Sequence, residues 1–154
     1  MTHDPLSERS APCRRRLQVF LSGRIDGIEL ADAARWRLKA SERFDAAGID
    51  VYDPTRVMRQ AERYQPQPNE VFHNDRWNLS RSDILLVNLA LPPTIESHRA
   101  PFFTIGEMFL AHAAGKPIIV FGSSFVGRPG YEAIVTRSFE HSDEAIGYIL
   151  AAYK

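Results

Sequence analysis

Residues 102–121 read FFTIGEMFLAHAAGKPIIVF. Ile105, Met108, Phe109 and Ala111 make an apolar helical segment of about 104–114, and Gly115 stops it. KPIIVFG (116–122) follows as a short apolar run of strand type, with no polar alternation. A helix feeding a strand that is buried on both faces is half of a β-α-β unit.

The same alternation extends in both directions. DILLVNLA (83–90) is a second buried run, joined to the helix by a loop holding Pro92, Pro93 and Pro101. NEVFHNDRWNLSRS (69–82) has helical spacing, with Phe72, Asp75, Arg76 and Leu79 on one stripe. LQVFLSG (17–23) and IDVYDP (49–54) read as strands, separated by a helix over 28–48 with Ala34 and Leu38 at i, i+4 and Gly48 as its stop. Residues 55–69 are polar, contain Pro66 and Pro68, and predict a loop. GYEAIVTRSF (130–139) predicts a fifth strand over about 133–139, and residues 142–154 a closing helix with Ser142 as N-cap. Strands alternating with helices predict an α/β fold: a flavodoxin/Rossmann-like three-layer sandwich on a five-stranded parallel sheet. The expected organisation is one domain over 17–154, preceded by a disordered tail over 1–16 in which Arg14–Arg16 form a solvated flank.

Composition narrows the partners. Lys+Arg and Asp+Glu are 19 each in 154 residues, so no net charge draws the chain to a polynucleotide or an anionic membrane. No segment approaches the roughly 18 apolar residues of a membrane span. Cys13 is the single cysteine, which excludes an internal disulfide and fits a cytoplasmic setting. The expected partner is a small molecule. SGRIDG (22–27) has too few glycines for a dinucleotide fingerprint, and no Walker A pattern, G-x-S-x-G or zinc-type spacing occurs. No cofactor or metal is expected.

In an open α/β sheet, ligands bind beyond the carboxyl ends of the strands. Those ends carry Ser22, Gly23 and Arg24, then Tyr52 and Asp53, then Asn88, then Gly122, Ser123 and Ser124. Glu107, where the loop becomes the helix, is either an ordinary acid favoured by the helix dipole or a carboxylate lining a crevice, able to attack an electrophilic carbon. Asp75 is either a surface acid or a second site carboxylate. Asn88 holds a loop or a ligand hydroxyl. Arg24 meets a phosphate or stays in solvent.

Together these residues resemble the nucleoside 2-deoxyribosyltransferase family and its 2′-deoxynucleoside 5′-phosphate N-hydrolase relatives. VFLSGRI is similar to the family's first strand and substrate loop. HNDRWNLSRSDILLVNL is similar to its Asp-bearing helix and following strand, and TIGEMFLAHAAGKPIIVF to its segment with the catalytic glutamate and a GKP continuation. The resemblance implies that Glu107 is the nucleophile and Asp75 the second acidic site residue. Phe20, Ser22, Gly23, Arg24, Asp53, Asn88, Phe103, Thr104, Gly106, Ser123 and Ser124 become expected substrate contacts. It implies cleavage or transfer of the N-glycosidic bond of a nucleoside or nucleotide through a glycosyl-glutamate intermediate, in a homo-oligomer. Three positions depart from the pattern. Phe103 replaces a glycine, Pro101 an aspartate that reads the base, and Phe20 a tyrosine that touches the glutamate. These departures keep open a second expectation, a nucleotide-binding or regulatory domain without turnover. A flavodoxin-like flavin protein is a third.

Overall fold

The computed structural model describes residues 15–60, 65–90, 101–123 and 125–154. Strand β1 (Gln18–Gly23) leads to helix α1 (Leu30–Ala46), β2 (Asp50–Tyr52), the short α2 (Thr55–Met58) and α3 (Pro68–Arg81). Then come β3 (Ile84–Asn88), α4 (Phe102–Ala113), β4 (Ile118–Phe121), α5 (Pro129–Ile134), β5 (Arg137–Phe139) and α6 (Ser142–Ala152). The five strands form one parallel sheet in the order β2-β1-β3-β4-β5. That order is doubly wound, and its direction reverses between β1 and β3. The expected α/β three-layer architecture is the one found.

Period-two alternation splits the strand side chains between two cores. Val19, Leu21, Ile84, Leu86, Ile119 and Phe121 meet Ala40 and Phe44 of α1 and Ile146 and Ile149 of α6. Phe20, Leu85, Val87, Ile118 and Val120 meet Leu79 of α3 and Met108 and Ala111 of α4. The central strands bury both faces, which is why they lack polar alternation in the sequence. Ser22 lies two residues beyond Phe20, so it faces the α3–α4 layer.

Several sequence expectations shift. The buried stripe of α1 is Ala33, Ala34, Arg37, Ala40 and Phe44, and Leu38 is half exposed. An arginine in that stripe disguised the helical period. Arg76 points outward on α3, and the inward face runs through Asp75 and Leu79. Thr55–Met58 is a helix rather than part of a loop, started by the Asp53 side chain. Residues 129–134 form α5, with Pro129 in its first turn, so only 137–139 remain as the fifth strand. The cap of α6 is His141, not Ser142, because Glu144 accepts the His141 N–H at 3.1 Å. Arg15 is not merely solvated: it pairs with Asp83 at 2.6 Å, and Arg16 lies 3.7 Å from Asp50. Residues 1–14, including Cys13, lie outside the described residues, as do 91–100 of the proline-bearing loop.

Gly122 ends β4 at φ +68, and a Cβ there would lie 2.7 Å from the Ala90 Cβ and 2.9 Å from its Cα. Both the left-handed backbone and the close approach demand glycine. Gly122→Ala is expected to destabilise the domain by about 2–3 kcal/mol, read as a lowered urea midpoint with an unchanged m-value.

Candidate active site

A cavity of about 880 Å3 opens at the carboxyl ends of β1 and β2, between the loop after β1, α3 and the start of α4. Glu107, Asp75, Ser22, Arg37 and Thr104 line it. Glu107 reaches it through helical geometry. It shares an inward stripe of α4 with the buried Thr104, Met108 and Ala111. Helix α4 begins at Phe102, two residues earlier than expected, so Glu107 sits in its second turn rather than at its start. Its carboxylate is therefore held by the fold and not simply by the helix dipole.

The Ser22 hydroxyl donates a hydrogen bond to Glu107 Oε2. Burial nevertheless dominates and raises the Glu107 pKa from 4.5 to about 7. The Ser22 hydrogen bond opposes the rise, the negative charge of Asp75 adds to it, and Arg37 opposes it. Asp75 is raised from 3.8 to about 6, first by burial, against a hydrogen bond from Tyr52 and the charge of Arg37. Tyr52 Oη donates to Asp75 Oδ1 at 2.9 Å. Burial and the neighbouring Asp75 push the Tyr52 phenol well above its ordinary value, so it remains a donor at neutral pH. Two carboxyls with raised pKa values in one cleft are the arrangement expected of reacting groups.

The cavity gathers Ser22, Gly23, Arg24, Asp75, Phe103, Thr104 and Glu107 of the residues expected from sequence. Other expected residues are turned to different tasks. Phe20 is fully buried and stacks on Tyr52, ring centroids 5.0 Å apart. Tyr52, on the neighbouring strand, directs its phenol to Asp75. Asp53 does not line the cavity. It accepts from the Thr55 N–H at 2.8 Å, the Thr55 hydroxyl at 2.7 Å and Arg59 Nη2 at 2.7 Å. Asn88 folds back to accept the Ala90 N–H at 2.9 Å. Ser123 accepts the Phe125 N–H at 3.0 Å. Gly106 is exposed on the outer side of α4, and Ser124 lies outside the described residues. At Asp53, Asn88 and Ser123 a polar side chain at a strand end closes a local turn, as Asx- and Ser-turns do.

Sequence reasoning passed over Arg37, which has no exposed surface yet borders the cavity. Tyr52 was visible only as a strand-end residue, with nothing in its spacing to pair it with Asp75. Phe72, Phe102 and Phe103 give the cavity an aromatic wall, with Phe72 and Phe103 centroids 6.0 Å apart. Such a wall suits the flat face of an aromatic ligand. Among the described residues, no three His, Cys, Asp or Glu side chains cluster as metal ligands, and no helix is long and apolar enough to cross a membrane.

No protein-family model and no curated protein matches the chain. Solved structures do. The chain resembles a 2-deoxyribosyltransferase from Bacillus psychrosaccharolyticus with TM-score 0.60 and 16% identity, over 85% of this chain and 91% of that one. It resembles a 2-deoxyribosyltransferase from Leishmania mexicana with TM-score 0.64 and 13% identity, over 90% and 99%. The solution structure of BlsM is similar with TM-score 0.62 and 19% identity, over 88% of each chain. At these identities the likeness is one of fold.

Proposed function

We propose that this chain is an N-glycosyl transferase or hydrolase of the nucleoside 2-deoxyribosyltransferase type, with Glu107 as its nucleophile. The observation that carries this reading is a carboxylate held by Ser22 on the wall of an aromatic-sided cavity, with a second carboxyl facing the same space. A 2-deoxyribosyltransferase function in two proteins of similar fold supports it.

In the first step a Glu107 carboxylate oxygen bonds to the anomeric carbon of the sugar, and the bond from that carbon to the base nitrogen breaks. The base leaves with the bonding pair and takes up a proton from water. In the second step water or an acceptor base attacks the same carbon, gives up a proton to water, and releases Glu107. Two inversions retain configuration. The oxocarbenium-like transition state gains from the nearby negative charge.

Asp75 serves as an ionised acceptor for a sugar hydroxyl, oriented by Tyr52, whose phenol donates to it. Arg24 and the end of β1 face the cavity where a 5′-hydroxyl or 5′-phosphate would lie. A homo-oligomer completes the reading. Phe102, Phe103, Phe109 and Leu110 are exposed along α4, an apolar surface suited to a second copy.

Turnover requires the Glu107 carboxylate, so base release should rise about tenfold per pH unit between about pH 6 and 7, more steeply below pH 6 where Asp75 also protonates, and level off above pH 7. Ser22→Ala removes a hydrogen bond to the ionised form. Its kcat should fall about tenfold at pH 7, with the loss shrinking as pH rises. A rate profile flat across pH 5–8 would contradict the assignment. Incubating the protein with deoxynucleosides and deoxynucleotides, with and without an acceptor base, separates transfer from hydrolysis. Calorimetric binding with no base released from any of them would favour the binding-domain alternative.

A further inference from the structure

Strand β2 stops one register step beyond Val51, with Tyr52 opposite Phe20. Asp53 and Pro54 follow, and Pro54 has no N–H to offer. β1 continues for three more residues, paired with β3 as far as Gly23 opposite Asn88. Alternate carbonyls of a strand point to the same side, and the Leu17 carbonyl accepts the Asp50 N–H on the β2 side at 2.8 Å. The carbonyls of Leu21 and Gly23 therefore face the side where β2 has ended. Buried carbonyls need donors.

Arg37 supplies them from α1. Its Nε lies 3.4 Å from the Leu21 carbonyl and its Nη2 2.8 Å from that of Gly23, while Nη1 meets the Ala33 carbonyl at 2.5 Å. The guanidinium takes over from the missing strand. Ser22 is the residue between the two gripped carbonyls, and its hydroxyl holds Glu107. Asp53 Oδ1 lies 3.8 Å from Arg37 Nε, the nitrogen that meets the Leu21 carbonyl. A Cβ on Gly23 would meet Asn88 at 3.1 Å and Trp36 at 3.2 Å, so this strand end is closely confined as well.

We propose that Arg37 is a positioning residue, which sets the Ser22 hydroxyl on Glu107 by gripping the peptide carbonyls on either side of Ser22. This rests on Glu107 being the nucleophile. A lysine at 37 keeps the charge but loses the planar fork that spans two carbonyls. That separates grip from charge, since the other charged groups acting on Glu107, Asp75 among them, are unchanged.

The test is a double-mutant cycle of Arg37→Lys and Ser22→Ala, scored on base release at pH 7. Arg37→Lys should lower kcat about five- to tenfold with KM within about threefold, and should add less than about twofold to the loss of Ser22→Ala. Losses that multiply, or an Arg37→Lys enzyme as active as wild type, would overturn the proposal. If Arg37→Lys does not fold, the cycle is run with Arg37→Gln, which also removes a charge acting on Glu107, and Ser22→Ala should then add less than about twofold to the Arg37→Gln loss. If the wild-type protein releases no base, the functional reading fails by itself. The grip is then tested by NMR titration of the Glu107 carboxyl, labelled with 13C. Ser22→Ala and the Arg37 variant should each move that titration upward, the double variant no further than the larger of the two single shifts. Independent, additive movements would reject it.

Discussion

Glu107→Gln should abolish base release, by about 10^3-fold or more in kcat, while making the protein more stable at pH 8. The loss follows because an amide is no nucleophile toward the anomeric carbon, and the same residue carries both steps. The gain follows from linkage. Glu107 titrates near 7 in the folded state against an ordinary 4.5, so folding favours its protonated form. The cost to the folded protein is absent below about pH 4.5. It grows as pH rises from the ordinary to the folded value and is complete above about pH 8. At full strength it would be about 3 kcal/mol, and the open side of the cavity reduces it to about 2 kcal/mol. Gln has nearly the same shape and can still accept the Ser22 hydrogen bond. Its melting temperature at pH 8 should exceed that of wild type by roughly 5 °C, and the two should converge near pH 4. Retained turnover, or a stability gain equal at both pH values, would remove Glu107 from the role assigned to it.

Asp53→Ala is expected to have the largest effect on folding. Asp53 is 7% exposed and closes the turn into α2 through three hydrogen bonds. It is also the near counter-charge of the fully buried Arg37, at 3.8 Å. Removing one partner of a buried pair leaves the other charge uncompensated, at about 3–5 kcal/mol. The melting temperature should drop by roughly 10 °C or more, with KM of the remaining folded enzyme within about twofold of wild type. Were Asp53 a substrate contact instead, KM would rise with little change in melting temperature.

These two carboxylates show what the sequence made legible. The strand runs were readable because burial on both faces leaves them uniformly apolar, as in ILLVN and IIVF. Glu107 was readable because the topology places its helix at the ligand edge and the motif spacing is local. Asp53 stood at a strand end like Ser22, and nothing local distinguishes a side chain aimed at the cavity from one that closes its own turn. Arg37 was hidden for a different reason. Its partners Leu21 and Gly23 are 14 or more residues away, and its task arises only because β1 outruns β2. The α5 segment misled through its β-branched tail, Ile134–Thr136, while Pro129 had already set a helical first turn.

The most direct test of the central claim is mass spectrometry of the acid-quenched protein. It is mixed with deoxynucleosides or deoxynucleotides in the absence of an acceptor base and then digested. The account predicts a single deoxyribosyl or deoxyribosyl-phosphate adduct on the peptide that contains Glu107, absent in Glu107→Gln and discharged when an acceptor base is added. Base release that proceeds equally in Glu107→Gln, with the adduct on another residue or on none, would contradict it.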